Sequence, residues 1–257
     1  MRNTSLTNMV GAACFAAMTL TACGGGTGGR DIIAHVGTRE ISKSSLEHLI
    51  SIEAITDYEE FPNPTIPTSL VPEPPRYTGC VAHLQRIAPT AAAGRPRPTT
   101  VQLTRTCQQL RKALQTQALN ALISSEWLSG EADQLGVKIT AEEVSRQFAR
   151  YKTERFPRRG EYERYLAGTN ETPADQLFRI RNDMLASSIT HAQEALAGGG
   201  GKHETPAAFQ SSFTATWKAK TTCRLGYIVE SCKEYKQPTR PEQTYNQLVQ
   251  RFVTTGT

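Results

Sequence analysis

The chain has 257 residues, 38% of them hydrophobic, and a formal net charge of +5. That length admits one or two domains. Aromatic residues make up only 7%, so the core must come from Leu, Ile and Ala on helices, and mild basicity without aromatic platforms carries no nucleic-acid signal.

Arg2 gives the amino terminus a positive start, and Met9 to Leu20 form an apolar run too short to remain as a membrane-spanning helix. Leu20-Thr21-Ala22-Cys23 followed by Gly24-Gly25-Gly26 resembles a bacterial lipobox. The resemblance implies that residues 1–22 are a lipoprotein signal peptide and that Cys23 is acylated, by palmitate or a similar chain. Residues 23–30 would then be a flexible tether holding the protein on the extracytoplasmic face of the cell membrane. More than one acyl chain anchors stably, whereas one is marginal. The competing reading is an ordinary secretory peptide with a chance cysteine.

Asp31 to Val36 predicts a short strand and Gly37-Thr38 a turn. Ser42 is an N-cap for a helix to about Ile55, with Leu46, Leu49 and Ile50 inward. Residues 57–98 form an insertion holding nine of the fourteen prolines, a density that prevents regular structure over most of it. Cys80 to Ile87 is its one amphipathic patch.

Thr99 to Thr140 organises the chain. Small or apolar residues recur every three or four positions, from Leu103 through Cys107, Leu114, Leu122 and Leu128 to Leu135. Thr99 and Gln102 have capping-box spacing, and Gly136 sits where a C-terminal cap belongs. This predicts a scaffold helix of about 50 Å. Val137 to Ile139 is a brief extended piece. A second capping box, Thr140 and Glu143, opens a helix that Pro157 ends. Glu161 to Leu166 is a short helix, and Thr172-Pro173-Asp175 starts another that runs to about Leu196. A glycine-rich bridge, 197–204, leads to a helix from Thr205-Pro206 carrying Phe209, Phe213 and Trp217 at four-residue spacing. Leu225 to Val229 reads as a final strand. Residues 233–257 read as a polar, loosely held tail in which Tyr245 to Phe252 has helical spacing.

Cys14 leaves with the signal peptide and Cys23 would carry lipid, so four cysteines remain. An even number in an exported chain points to disulfides. Three pairings exist; Cys80–Cys107 and Cys223–Cys232 are favoured, the first stapling the proline-rich insertion to the long helix. Metal binding has no support: there is no CxxC, and the five histidines lack ligand-pair spacing. No cofactor fingerprint, P-loop or nucleophile elbow is present. Adjacent Glu142 and Glu143 point about 100° apart on a helix, and capping explains Glu143, so no catalytic residue is assigned. Arg150, Lys152, Arg155, Arg158 and Arg159 form a basic cluster, read first as a solvated face. The alternative is attraction to acidic clients or anionic headgroups, screened by salt.

The run from Leu122-Ile123 through Trp127-Leu128, Glu131-Ala132 and Gly136-Val137 to Ile139-Thr140 and Glu142-Glu143-Val144 resembles the N-terminal chaperone domain of SurA- and PrsA-type foldases. The flanks agree in order: Ile33 to Gly37 with Ile41-Ser42, then Phe156-Pro157 and Tyr162 to Leu166, then Thr172 to Leu185. Trp217 to Cys232 resembles the ending of actinobacterial members. The resemblance implies a mainly α fold over residues 31–232. It has a long central helix and a small two-stranded sheet formed from the amino- and carboxyl-terminal strands. In that family a parvulin isomerase domain is often inserted between the two parts; here only Gly198 to Glu204 separates them. The implied function is an extracytoplasmic holdase for unfolded exported proteins, not an enzyme. Leu122, Trp127, Leu128, Phe209, Phe213 and Trp217 are the client-binding candidates. Two other expectations stand beside it: an adaptor lipoprotein for one dedicated partner, or a protein with residual prolyl isomerase activity.

Overall fold

A computed structural model describes residues 31–59, 71–88, 97–198, 205–239 and 242–255. In chain order these hold β1 (Ile32–Val36), β2 (Arg39–Ser42), α1 (Lys43–Glu59), α2 (Thr78–Ile87), α3 (Thr100–Leu135), α4 (Ala141–Arg155), α5 (Glu161–Thr169), α6 (Pro173–Gly198), α7 (Pro206–Ala219), β3 (Thr221–Cys223) and α8 (Tyr245–Thr255). The fold is mainly helical, with one small antiparallel sheet.

α3 is the axis. Its 36 residues begin at the expected capping box and end at Gly136, whose φ of 68° is the left-handed cap that glycine supplies most cheaply. At the start, the Gln102 amide N–H donates to the Thr99 hydroxyl, and the Thr99 N–H donates to the Gln102 side chain at 2.8 Å. α1, α2, α6, α8 and β1 all pack on this helix. One apolar stripe therefore cannot describe it. Leu103, Cys107, Leu110, Leu114 and Ala118 are buried as expected, but so are Leu119, Ile123 and Trp127 on an adjoining face.

The sheet has three strands, in the order β2-β1-β3, where two were expected. β1 does pair with the carboxyl-terminal strand, Ala34 opposite Cys223 and Val36 opposite Thr221. The added strand is β2, which returns along β1 through a turn at Gly37, Val36 opposite Arg39. Its four residues were too few to read as a strand. The carboxyl-terminal strand itself lies at Thr221–Cys223, not at Leu225–Val229. The Arg224 N–H still donates to the Ile33 carbonyl of β1 at 2.9 Å, and the chain then turns away at Leu225-Gly226, Gly226 at φ 91° and Leu225 87% exposed.

Both favoured disulfides are present, Cys80–Cys107 and Cys223–Cys232. The first fastens α2 to the first turns of α3. The second closes the loop after β3, which explains why the apolar letters between those cysteines do not continue as strand. The expectation of a loosely held tail fails at α8. Tyr245, Leu248 and Phe252 recur on one helical face and are buried in the main core with Leu110 and Leu114.

Candidate functional site

The six client-binding candidates lie on α3 and α7. The Trp127 indole N–H donates to the Thr221 hydroxyl at 2.8 Å, and that hydroxyl donates to the Trp217 carbonyl. Trp217 donates from its own indole to the Glu131 carboxylate at 2.7 Å. Its ring lies across Gly130, where a β-carbon would come within 2.1 Å of the ring. Glycine therefore sets how closely α7 approaches α3. Phe213 meets Trp127 edge-on with ring centroids 6.0 Å apart, and Phe209 follows at 5.9 Å from Phe213. Such aromatic pairs favour tilted and edge geometries.

Burial divides the six. Trp127 and Trp217 are 6% and 4% exposed, so both are core residues. Leu122 and Phe213 are half-buried against the main core. Leu128 and Phe209 are half-buried against a smaller cluster of Ala132, Leu185 and Ile189. The α3–α7 seam is thus an apolar joint whose outer edge is half-open. The exposed apolar residues elsewhere, such as Val101 and Phe178, lie outside this set.

A second arrangement, on which the sequence was silent, joins α1, α3, α5 and α6 through polar groups. Glu171 is buried just ahead of α6. Arg179 pairs with its carboxylate, and Gln176 and the Tyr165 hydroxyl donate to it. Glu53 of α1 accepts from Gln117 of α3 at 2.8 Å. Burial pushes the Glu53 carboxyl above the usual range, Gln117 and Arg179 pull it back, and Glu171 adds to the push. Nearby, the His48 ring bonds Asp175 at 2.9 Å and Asn170 donates to Ser51 at 2.9 Å. Farther along α6, the Ser125 hydroxyl donates to Asn182 and Arg181 donates to Ser129. Arg39 bridges from β2 to Glu126 and Asp133 of α3. Burial raises the Glu126 carboxyl, against the pull of Arg39 and Arg181.

The basic cluster belongs to α4 and the corner that leads from it to α5. Its floor is aromatic: Phe156 packs against Tyr162 at 5.3 Å and Tyr165 at 5.0 Å, and Lys152 stands over the Tyr162 ring at 4.4 Å. A separate cleft of about 1070 Å³ lies between the middle of α3 and the segment before α8. Amides such as Gln117, Asn120 and Gln243 line it, with Tyr235, and Lys112 donates to Glu242 there at 2.8 Å.

Cys23, residues 60–70 and 89–96 of the proline-rich insertion and residues 199–204 of the glycine-rich bridge lie outside the described residues. Compared with models of protein families, with curated proteins and with solved structures, the chain gives no match. The signature from Leu122 to Val144 therefore stands on its own residues.

Proposed function

We propose that this protein is a lipid-anchored extracytoplasmic holdase. It binds apolar segments of unfolded exported proteins, needs no cofactor and performs no isomerase chemistry. The observation that carries the reading is the return of α7 and β3 onto α3 and β1: Ala34 opposite Cys223 in the sheet, Trp217 against Gly130 in the helix pair. It supports the arrangement that the family resemblance implies, in which amino- and carboxyl-terminal parts form one unit across a short bridge.

The grip on a client comes from the outer edge of the α3–α7 seam. Leu122, Leu128, Phe209 and Phe213 are half-buried. A client's apolar side chains would extend that seam, each buried square ångström contributing about 25 cal/mol. Such binding is weak, non-covalent and free of nucleotide. The test is aggregation of a chemically denatured client followed by light scattering. The full mature protein at equimolar ratio should slow aggregation, and Phe209→Ser should weaken the effect. Unchanged aggregation at that ratio would overturn the proposal.

A further inference from the structure

We infer that the α4–α5 corner is a docking surface for an anionic lipid bilayer. The inference rests on the tethered-lipoprotein reading of Cys23 and says which face of the protein that tether presents to the membrane.

Charge is the first argument. Between residues 146 and 164 there are seven cations and three acids, an excess of four, where the whole chain's excess is five. Arg150, Arg155, Arg158, Arg159 and Arg164 are exposed, and none of these five has an ion-pair partner among the described residues. Glu161, the acid nearest the corner, accepts the backbone N–H of Arg158 at 3.1 Å. Arg155, Phe156, Arg164 and Tyr165 line a notch of about 510 Å³, with the Glu161 carboxylate beside them. Guanidinium groups bind phosphate through paired N–H donors, so the two arginines are placed to hold a headgroup phosphate over an aromatic base.

Reach is the second argument. Cys23 lies eight residues before Asp31, a span of at most about 28 Å. The chain enters the fold at Asp31, whose carbonyl accepts the Lys43 N–H at 2.7 Å, at the start of α1. From Lys43 to Ser51 is about 12 Å of helix. Ser51 accepts from Asn170 at the end of α5, and α5 runs about 13 Å back to the basic corner. The path is about 30 Å including the crossing between helices, comparable with the tether. Acyl chain and arginines can therefore meet one membrane plane together. An acidic client offers no such coincidence of tether and patch.

The test uses the full chain with Cys23→Ala, which removes the acyl anchor, in co-sedimentation with two vesicle types. It should bind vesicles containing phosphatidylglycerol and leave vesicles of phosphatidylcholine alone. Binding should fall as salt shortens the Debye length from about 10 Å at 0.1 M. Each cation near an anionic surface is worth about five-fold in affinity, so Arg155→Gln/Arg158→Gln/Arg159→Gln should weaken binding about a hundred-fold. Arg76→Gln/Arg86→Gln/Arg105→Gln removes the same charge just before α2, on α2 and in the first turns of α3, and should leave binding near the parent value. Circular dichroism should show both variants folded. Equal losses in the two variants would reduce the effect to net charge and overturn the inference. So would no binding to phosphatidylglycerol vesicles. Corner-dependent capture of polyglutamate without vesicle binding would also overturn it and assign the face to acidic polypeptides. The corner variant should still slow client aggregation, so failure there belongs to the holdase reading. Loss of the wild-type protein from membranes with vesicle binding intact would sink the tether alone.

Discussion

The two ends of α3 are held in different ways. Its amino-terminal half sits among α1, α2, α8 and the sheet, with Leu103, Leu110, Leu114 and Leu119 all but sealed from solvent. The Cys80–Cys107 bridge fixes its first turns. Its carboxyl-terminal half meets α6 around three fully buried apolar residues, Ala132, Leu185 and Ile189. Half-buried Leu128 and Leu135 add to that cluster, and polar contacts run beside it, Ser125 to Asn182 and Arg181 to Ser129. Apolar burial is lost only by exposing surface to water, whereas a hydrogen bond can be exchanged for one to water at a net cost of about 1 kcal/mol. The first half is therefore a rigid base. The second half, with α4, α5 and α6, can shift at small cost, which suits a surface that must fit many clients.

Paired truncations test the contrast most severely. Leu114→Ala, at a fully buried position in the base, should cost about 4 kcal/mol of global stability, read as a lower denaturant midpoint with an unchanged slope. Leu185→Ala is equally buried but should act locally, speeding amide exchange in α4 and α6 while α2 and α8 stay protected. If Leu185→Ala unfolds the whole chain in one step, the two halves are one cooperative unit. Next in size is the bridge. Removing it with Cys80→Ser/Cys107→Ser frees a link between residues 27 apart in sequence, worth about 3.5 kcal/mol of unfolded-chain entropy. Calorimetry should show that loss in the base, with exchange rates in α6 barely altered.

What the sequence disclosed was what is local. Thr99 with Gln102, and Thr140 with Glu143, cap within four residues, so both helix starts could be read directly. Cys80 and Cys107 could be paired because an insertion and a helix start needed joining. The misses share the opposite property. Leu119 and Ile123 were left off the α3 face because several partners enclose that helix, and a single period describes one face. The helical spacing of Tyr245 to Phe252 was legible but its burial was not, because Tyr245, Leu248 and Phe252 stand among Asn, Gln and Arg; only the waiting surface of α3 gives that stripe its meaning. Of the six client-binding candidates, the aromatic spacing on α7 was visible, but nothing local reveals that Trp217 closes onto Gly130, 87 residues before it. The Glu53–Gln117 and Glu171–Arg179 contacts left no motif, since α1, α3 and α6 bring them together only after folding.

The smallest predicted effect sits on the border between the two halves. Glu53 leaves α1 toward α3 and α6, facing Gln117, Arg179 and Glu171. Burial is the largest influence on its carboxyl and raises its folded pKa above the unfolded one. The stabilising contribution of such a group is complete below the unfolded pKa and is lost as pH rises through the folded value. At neutral pH the ionised Glu53 therefore weakens the border. Asp175 has the opposite sign: burial pushes its carboxyl up, but the bonds from Thr172 and His48 outweigh it and hold it low. Its contribution is full above the unfolded pKa and fades as pH falls through the lowered one. Glu53→Gln keeps a polar side chain beside Gln117 and removes the charge. It should raise the melting temperature slightly at pH 7, and the gain should shrink as pH falls into the usual carboxylate range. Melting scans of parent and variant from pH 7 to about pH 4 check this. A variant less stable than the parent at pH 7 would mean that the Arg179 attraction outweighs burial. The α1–α6 border would then belong with the rigid base, and the compliant region would begin beyond it, at the Ser125–Asn182 contact.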